Sequence, residues 1–108
     1  METSKAHGSK DTGLELLRIE VNECDKQIIT LLGQRFELAR KIGAYKASHN
    51  LPILDEKRER DLISDRRQRA SGLKGDLVES LFRLIMDESR QIQARVKKEL
   101  NQQQMAGS

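Results

Sequence analysis

Apolar positions along the first half of the chain step by three and four: Leu14, Leu17, Val21, Cys24, Ile28, Leu31, Leu38, Ile42 and Tyr45, with Arg35 taking the seam position between Leu31 and Leu38. This spacing lays one stripe along a helix and predicts a long helix 1 over about 13–48. Asn50-Leu51-Pro52 interrupts the pattern, and Ser71-Gly72-Leu73-Lys74-Gly75 interrupts the next one, so helix 2 is expected over about 55–70 and helix 3 over about 76–101. Residues 1–12 and 102–108 carry no such pattern and read as flexible tails flanking one helical domain at 13–101.

The stripes have misplaced members. On helix 2, Asp55, Arg58, Glu59, Leu62, Ile63 and Arg66 share one face, and with Leu62 and Ile63 as its buried side the first turn aims three charges at the interior or at a cavity edge. Helix 3 has Leu77, Leu81, Leu84, Ile85, Ile92 and Val96 as its apolar set, but the Leu81, Ile85 stripe continues as Ser89 and Gln93. Helix 1 from 14 to 46 is roughly 50 Å long, and neither of the other helices is long enough to cover its seam. A second chain is therefore expected to cover part of it. The predicted fold is all-α: long helix 1, short helix 2 and medium helix 3 per chain, in an intertwined helical homodimer.

Composition narrows the class. Leu, Ile, Val and Phe make up 27 of 108 residues, enough apolar surface to fold, so disorder throughout is excluded. Aromatics at 3% and a single proline set aside an all-β fold, and 34% charged residues fit long solvated helices. The net charge of +3 is too mild to argue for nucleic acid, and Arg66-Arg67-Gln68-Arg69 and Lys97-Lys98 read as solvated faces. The lone Cys24 cannot form an internal disulfide and reads as a small core residue. The first thirteen residues lack a signal-peptide core and no apolar run reaches membrane-spanning length, so a cytoplasmic protein without membrane contact is expected. His7 falls in a tail and His49 in a turn, and no nucleophilic triad, metal-ligand cluster or glycine-rich phosphate loop is present. Neither metal nor cofactor is expected.

The polar groups on or beside apolar seams are Arg18, Arg35, Lys46, Asp55, Arg58, Glu59, Ser89 and Gln93. Burial without partners would cost each several kcal/mol. Four cations, neutral donors and two acids suit a small dianion bearing a hydroxyl, with arginine forks as the natural carboxylate clamps. Plainer roles compete: an interhelical ion pair for Arg35, an N-cap for Asp55, a bond from Ser89 to the carbonyl one turn earlier, and an ion pair of Glu59 with Arg58 or Lys46. Arg35 and Lys46 share a face about 16 Å apart, so their long side chains can converge on one ligand. Arg18 lies about 26 Å from Arg35 along the helix and, if it serves a site, serves the other chain's.

Taken in order, Leu17-Arg18 with Asp25, Gln34-Arg35-Phe36-Glu37-Leu38-Ala39, Ile42-Gly43-Ala44-Tyr45-Lys46, Asp55-Glu56-Lys57-Arg58-Glu59-Arg60 and Leu81 through Ser89, with Gln93 four residues on, form a specific set. From Leu14 to Gln93 the chain resembles the all-α chorismate mutase family, in particular its dimeric bacterial type. The resemblance implies a homodimer with two sites, each using an arginine from the partner, and conversion of chorismate to prephenate in phenylalanine and tyrosine biosynthesis. It implies that Arg18 of the second chain and Arg35 hold the enolpyruvyl carboxylate, and that Arg58 and Ser89 attend the ring carboxylate. Lys46 and Gln93 then donate to the ether oxygen, while Glu59, with the backbone near Asp55, accepts from the ring hydroxyl. Two alternatives stand beside it. An isochorismate pyruvate-lyase shares the fold, though Glu59 after Arg58 favours the mutase. A non-catalytic dimeric helical module predicts apolar residues at Arg35, Ser89 and Gln93.

Overall fold

The computed structural model describes residues 11–107 and consists of three helices in chain order: α1 (Thr12–Ser48), α2 (Glu56–Gln68) and α3 (Gly75–Gly107). Among the described residues there is no strand. The expected N-terminal tail lies, but for its last two residues, outside the described residues. At the other end the structure departs from expectation: α3 does not stop at 101 but runs on through Gly107. The continuation, Asn101 with Gln102-Gln103-Gln104 and Met105, contains good helix formers and no Gly or Pro before its last residue.

The chain divides into two compact units, Met1–Gln34 and Arg35–Ser108. The first contains the N-terminal part of α1, a single helix with nothing in its own unit to cover its apolar stripe. Leu17 is 59% exposed and Leu31 63%, and Cys24, expected in a core, is exposed as well.

The second unit holds the C-terminal part of α1 with α2 and α3. Its core is Leu62 and Ile63 of α2 against Met86 of α3, with Phe82 packed alongside. Helix 3 turns a different side inward than its leucines suggest: Val78, Met86, Ile92 and Val96 are buried, whereas Leu77, Leu81 and Leu84 are exposed. From α1 the buried residues are the small ones, Ala39 and Gly43. A Cβ on Gly43 would lie 2.8 Å from the Gln93 Cα and 3.1 Å from its carbonyl oxygen, so only glycine permits this approach of the two backbones.

Local chemistry ends α1 and starts α2. Asn50 takes the left-handed conformation at φ 54°, the Leu51 amide donates to the Lys46 carbonyl at 2.9 Å and the Asn50 amide to that of Ala47 at 3.4 Å. This is a Schellman closure, and asparagine is among the few residues other than glycine that enter that conformation readily. Asp55 caps α2, its carboxylate accepting the Arg58 amide at 3.0 Å. At the turn between α2 and α3, Arg67 Nη1 donates to Asp76 at 2.8 Å and to Glu79 at 3.0 Å, clipping the two helices together.

Candidate active site

Within the second unit, the end of α1, the loop after it, α2 and α3 enclose a cavity of about 400 Å³. Seven of the eight residues singled out from the sequence line it: Arg35, Lys46, Asp55, Arg58, Glu59, Ser89 and Gln93. The eighth, Arg18, belongs to the first unit, where its exposed guanidinium lies 3.6 Å from Glu15.

Lys46 stands in the last turn of α1, and its Nζ donates to the Ile53 carbonyl at 2.8 Å and to Gln93 Oε1 at 2.9 Å. An ammonium has three protons, so one remains for a ligand. The second bond also orients Gln93: with Oε1 occupied by the lysine, Nε2 is the donating end, and it has no partner among the described residues. Gln93 is only 7% exposed, and a buried amide with two unused protons on a cavity wall is costly unless something there accepts them. Burial pushes the Lys46 ammonium below the usual lysine range; Asp55 and Glu59 oppose that shift and Arg58 adds to it.

Arg35 reaches across to α3, where its Nη1 donates to Ser89 Oγ at 3.0 Å. That hydroxyl in turn donates to the Ile85 carbonyl at 2.8 Å, so the plainer role for Ser89 is also present. The Arg35 Cζ lies 6.0 Å from the centre of the Phe82 ring, and Arg66 lies 5.6 Å from it, so the ring sits between two cations. Burial, with the charges of Arg66 and Arg58, holds the Arg35 pKa below its ordinary value. Arginine keeps its proton regardless, and an anion in the cavity would relieve the same strain.

Arg58 is exposed and its guanidinium makes no ion pair or hydrogen bond among the described residues, which leaves it free at the cavity edge. Asp55 does what its N-cap reading predicts, and its carbonyl also accepts the Glu59 amide at 3.0 Å. Glu59 does form an ion pair, but with neither expected partner. Both its oxygens lie 2.6 Å from Nη1 of Arg90, another lining residue. The Arg90 guanidinium is held above its ordinary pKa, chiefly by this hydrogen bond. Sequence reasoning missed Arg90. Its signal was its place on helix 3, four residues after Met86 and one after Ser89, on the face that bears Gln93.

Among the described residues no group of three or more His, Cys, Asp or Glu side chains is placed to hold a metal ion, and no helix is long and apolar enough to cross a membrane. The cavity wall is therefore a set of hydrogen-bond donors and cations around apolar Leu38, Ala39, Ile42 and Met86, with carboxylates at one rim. It can bind an anion, fix its conformation and stabilise negative charge that develops beside Lys46 and Gln93.

Comparison with known proteins agrees with the geometry. The chain is 36% identical over 78 residues to the T-protein of Enterobacter agglomerans and 37% identical over 78 residues to the T-protein of Haemophilus influenzae, in each case over 70% of this chain and 21% of the relative. It is 31% identical over 83 residues to the bifunctional chorismate mutase/prephenate dehydratase of Escherichia coli, over 75% of this chain and 22% of that protein. The chain thus spans about a fifth of the length of these curated relatives. The family model for chorismate mutase type II matches residues 17–94, a stretch that begins before Arg18 and ends just after Gln93 and so contains all eight candidate residues, and the chain belongs to that family.

Proposed function

We propose that this protein is a chorismate mutase, converting chorismate to prephenate in aromatic amino-acid biosynthesis. The observation that carries the reading is the Lys46–Gln93 pair, a cation and a buried amide locked together at 2.9 Å with unused protons on a cavity wall that also bears Arg35 and Arg58. The rearrangement is concerted: a C–O bond breaks as a C–C bond forms, and no nucleophile or proton transfer is needed. The work left to the protein is to hold the folded substrate conformer and to meet the charge growing on the ether oxygen.

In this proposal Arg35 clamps the enolpyruvyl carboxylate and Arg58 the ring carboxylate. Ser89 assists Arg58 by turning its rotatable hydroxyl away from the Ile85 carbonyl. The third Lys46 proton and the Gln93 Nε2 protons meet the ether oxygen, and Glu59, beside the Asp55 carbonyl, accepts from the ring hydroxyl. The contacts at the ether oxygen strengthen toward the transition state and therefore govern turnover; the carboxylate clamps act more evenly on substrate and transition state.

Two further elements belong to the proposal. Two copies pair along α1, and Arg18 enters the partner's site. Support comes from the exposed apolar stripe of the first unit, Leu14, Leu17, Val21, Ile28 and Leu31, which a second copy of the same helix is suited to cover. The protein works in the cytoplasm, in keeping with its lone cysteine. The decisive test is to mix the purified protein with chorismate, follow the loss of its absorbance and identify the product. Prephenate is expected; no loss, or pyruvate as the product, refutes the reading.

A further inference from the structure

The ion pair between Glu59 and Arg90 joins α2 to α3 on the cavity wall. Its two side chains are 26% and 32% exposed, so neither is forced into the pair by full burial. Arg90 is held from behind by its own helix, with Nη2 3.3 Å from Asp87, and it presents Nη1 to both Glu59 oxygens at 2.6 Å. A partly exposed glutamate would otherwise sample several rotamers; bracketing one nitrogen with both oxygens leaves it one orientation.

The pair leaves Glu59 able to act. A carboxylate offers about four lone-pair directions, and Arg90 uses two, so each oxygen keeps an acceptor site for a ligand hydroxyl. The pair also changes the charge a ligand meets. The cavity is lined by four cations, Arg35, Lys46, Arg58 and Arg90, and by two acids, Asp55 and Glu59. Without Arg90, the Glu59 carboxylate would lose the one cation hydrogen-bonded to it among the described residues and would meet an incoming dianion at a rim where like charges repel. Arg90 and Glu59 also border a second cavity of about 370 Å³, beside Leu54, Glu56, Arg60 and Arg83. The pair therefore stands where the two cavities meet, and holding it shut keeps Glu59 at the wall of the first.

We propose that Arg90 is a positioning residue, fixing Glu59 to accept the substrate hydroxyl and offsetting its charge beside the dianion. This deepens the mutase reading and rests on it. The test is a double-mutant cycle on the full chain with chorismate as substrate: wild type, Arg90→Met, Glu59→Gln and both together, with Arg90→Lys as the conservative variant. Arg90→Met is expected to lower kcat/KM by at least about tenfold, mostly through KM, and Arg90→Lys to recover most of the loss. In the Glu59→Gln background the same Arg90→Met change is expected to cost less than about twofold, because the residue it acts through is already neutral. A purely structural role would cost the same in both backgrounds, and that result, or no loss from Arg90→Met, overturns the proposal. Should Arg90→Met fail to fold, Arg90→Gln takes its place in the cycle. A folded wild type that does not turn over chorismate removes the mutase reading itself, whereas an active wild type with background-independent losses removes only the role of Arg90.

Discussion

Gly43→Ala separates helix propensity from packing, because the two predict opposite signs. Alanine in place of glycine inside a helix is worth about 1 kcal/mol in favour of folding. At Gly43, however, the new methyl would lie 2.8 Å from the Gln93 Cα, against an ordinary contact of 3.4 Å or more, so backbone rather than a flexible side-chain tip must give by over half an ångström. Overpacking of this kind costs about 1–3 kcal/mol, and the net expectation is a loss of up to about 2 kcal/mol, with Tm lower by about 4–8 °C per kcal/mol. Activity should suffer more than stability. Lys46 sits three residues along the same helix and grips Gln93 at 2.9 Å, so parting the helices at Gly43 misplaces both donors. Misplacement by about 1 Å can cost up to about a hundredfold, and a ten- to hundredfold fall in kcat is expected. The control is Gly33→Ala on the same helix, where a Cβ meets nothing within 4 Å and propensity acts alone. Thermal melts and chorismate turnover on the three proteins decide it. A Gly43→Ala protein stabilised like Gly33→Ala, with unchanged turnover, would refute the close-approach argument.

Lys46→Ala should lower turnover by about two to three orders of magnitude with the fold intact, as removal of an oxyanion donor does; near-normal kcat by the same assay would overturn its role. Arg18→Ala and Arg35→Ala chains should each be nearly inactive alone, yet co-refolded mixtures should regain activity because a heterodimer can place both lesions in one site. Confirmed heterodimers without activity would count against the shared site. The lowered pKa of Lys46 sets an alkaline limb: kcat/KM, which reports the free enzyme, should fall as pH rises through a value below the ordinary 10.5. Between that lowered value and 10.5 the unfolded chain holds more protons, so the contribution of Lys46 to stability rises with pH while activity falls. Lys46→Arg should abolish the limb in its residual activity, and an unchanged limb there would assign it to another group.

Much of the candidate site could be read from the chain alone because the residues that line its cavity break a local rule. Arg35, Ser89 and Gln93 each occupy a position where the helical repeat calls for an apolar residue, and Asp55, Arg58 and Glu59 share a face with Leu62 and Ile63. Helix breaks were equally local, since the left-handed Asn50 and the capping carboxylate of Asp55 act within four residues of themselves. Tertiary packing decided what periodicity cannot express. A repeat of 3.6 residues says that a helix has an apolar side, but not which of two neighbouring ridges meets a given partner. In α3 the inward ridge carries Val78, Met86, Ile92 and Val96 with Ser89 and Gln93, while Leu77, Leu81 and Leu84 stay exposed. Which cation neutralises Glu59 was likewise invisible along the chain: Arg90 is 31 residues away, and only the packing of α2 against α3 brings its guanidinium within 2.6 Å, ahead of the sequence neighbour Arg58. Ion pairs follow distance in space, and in this protein two helices had to meet before that distance existed.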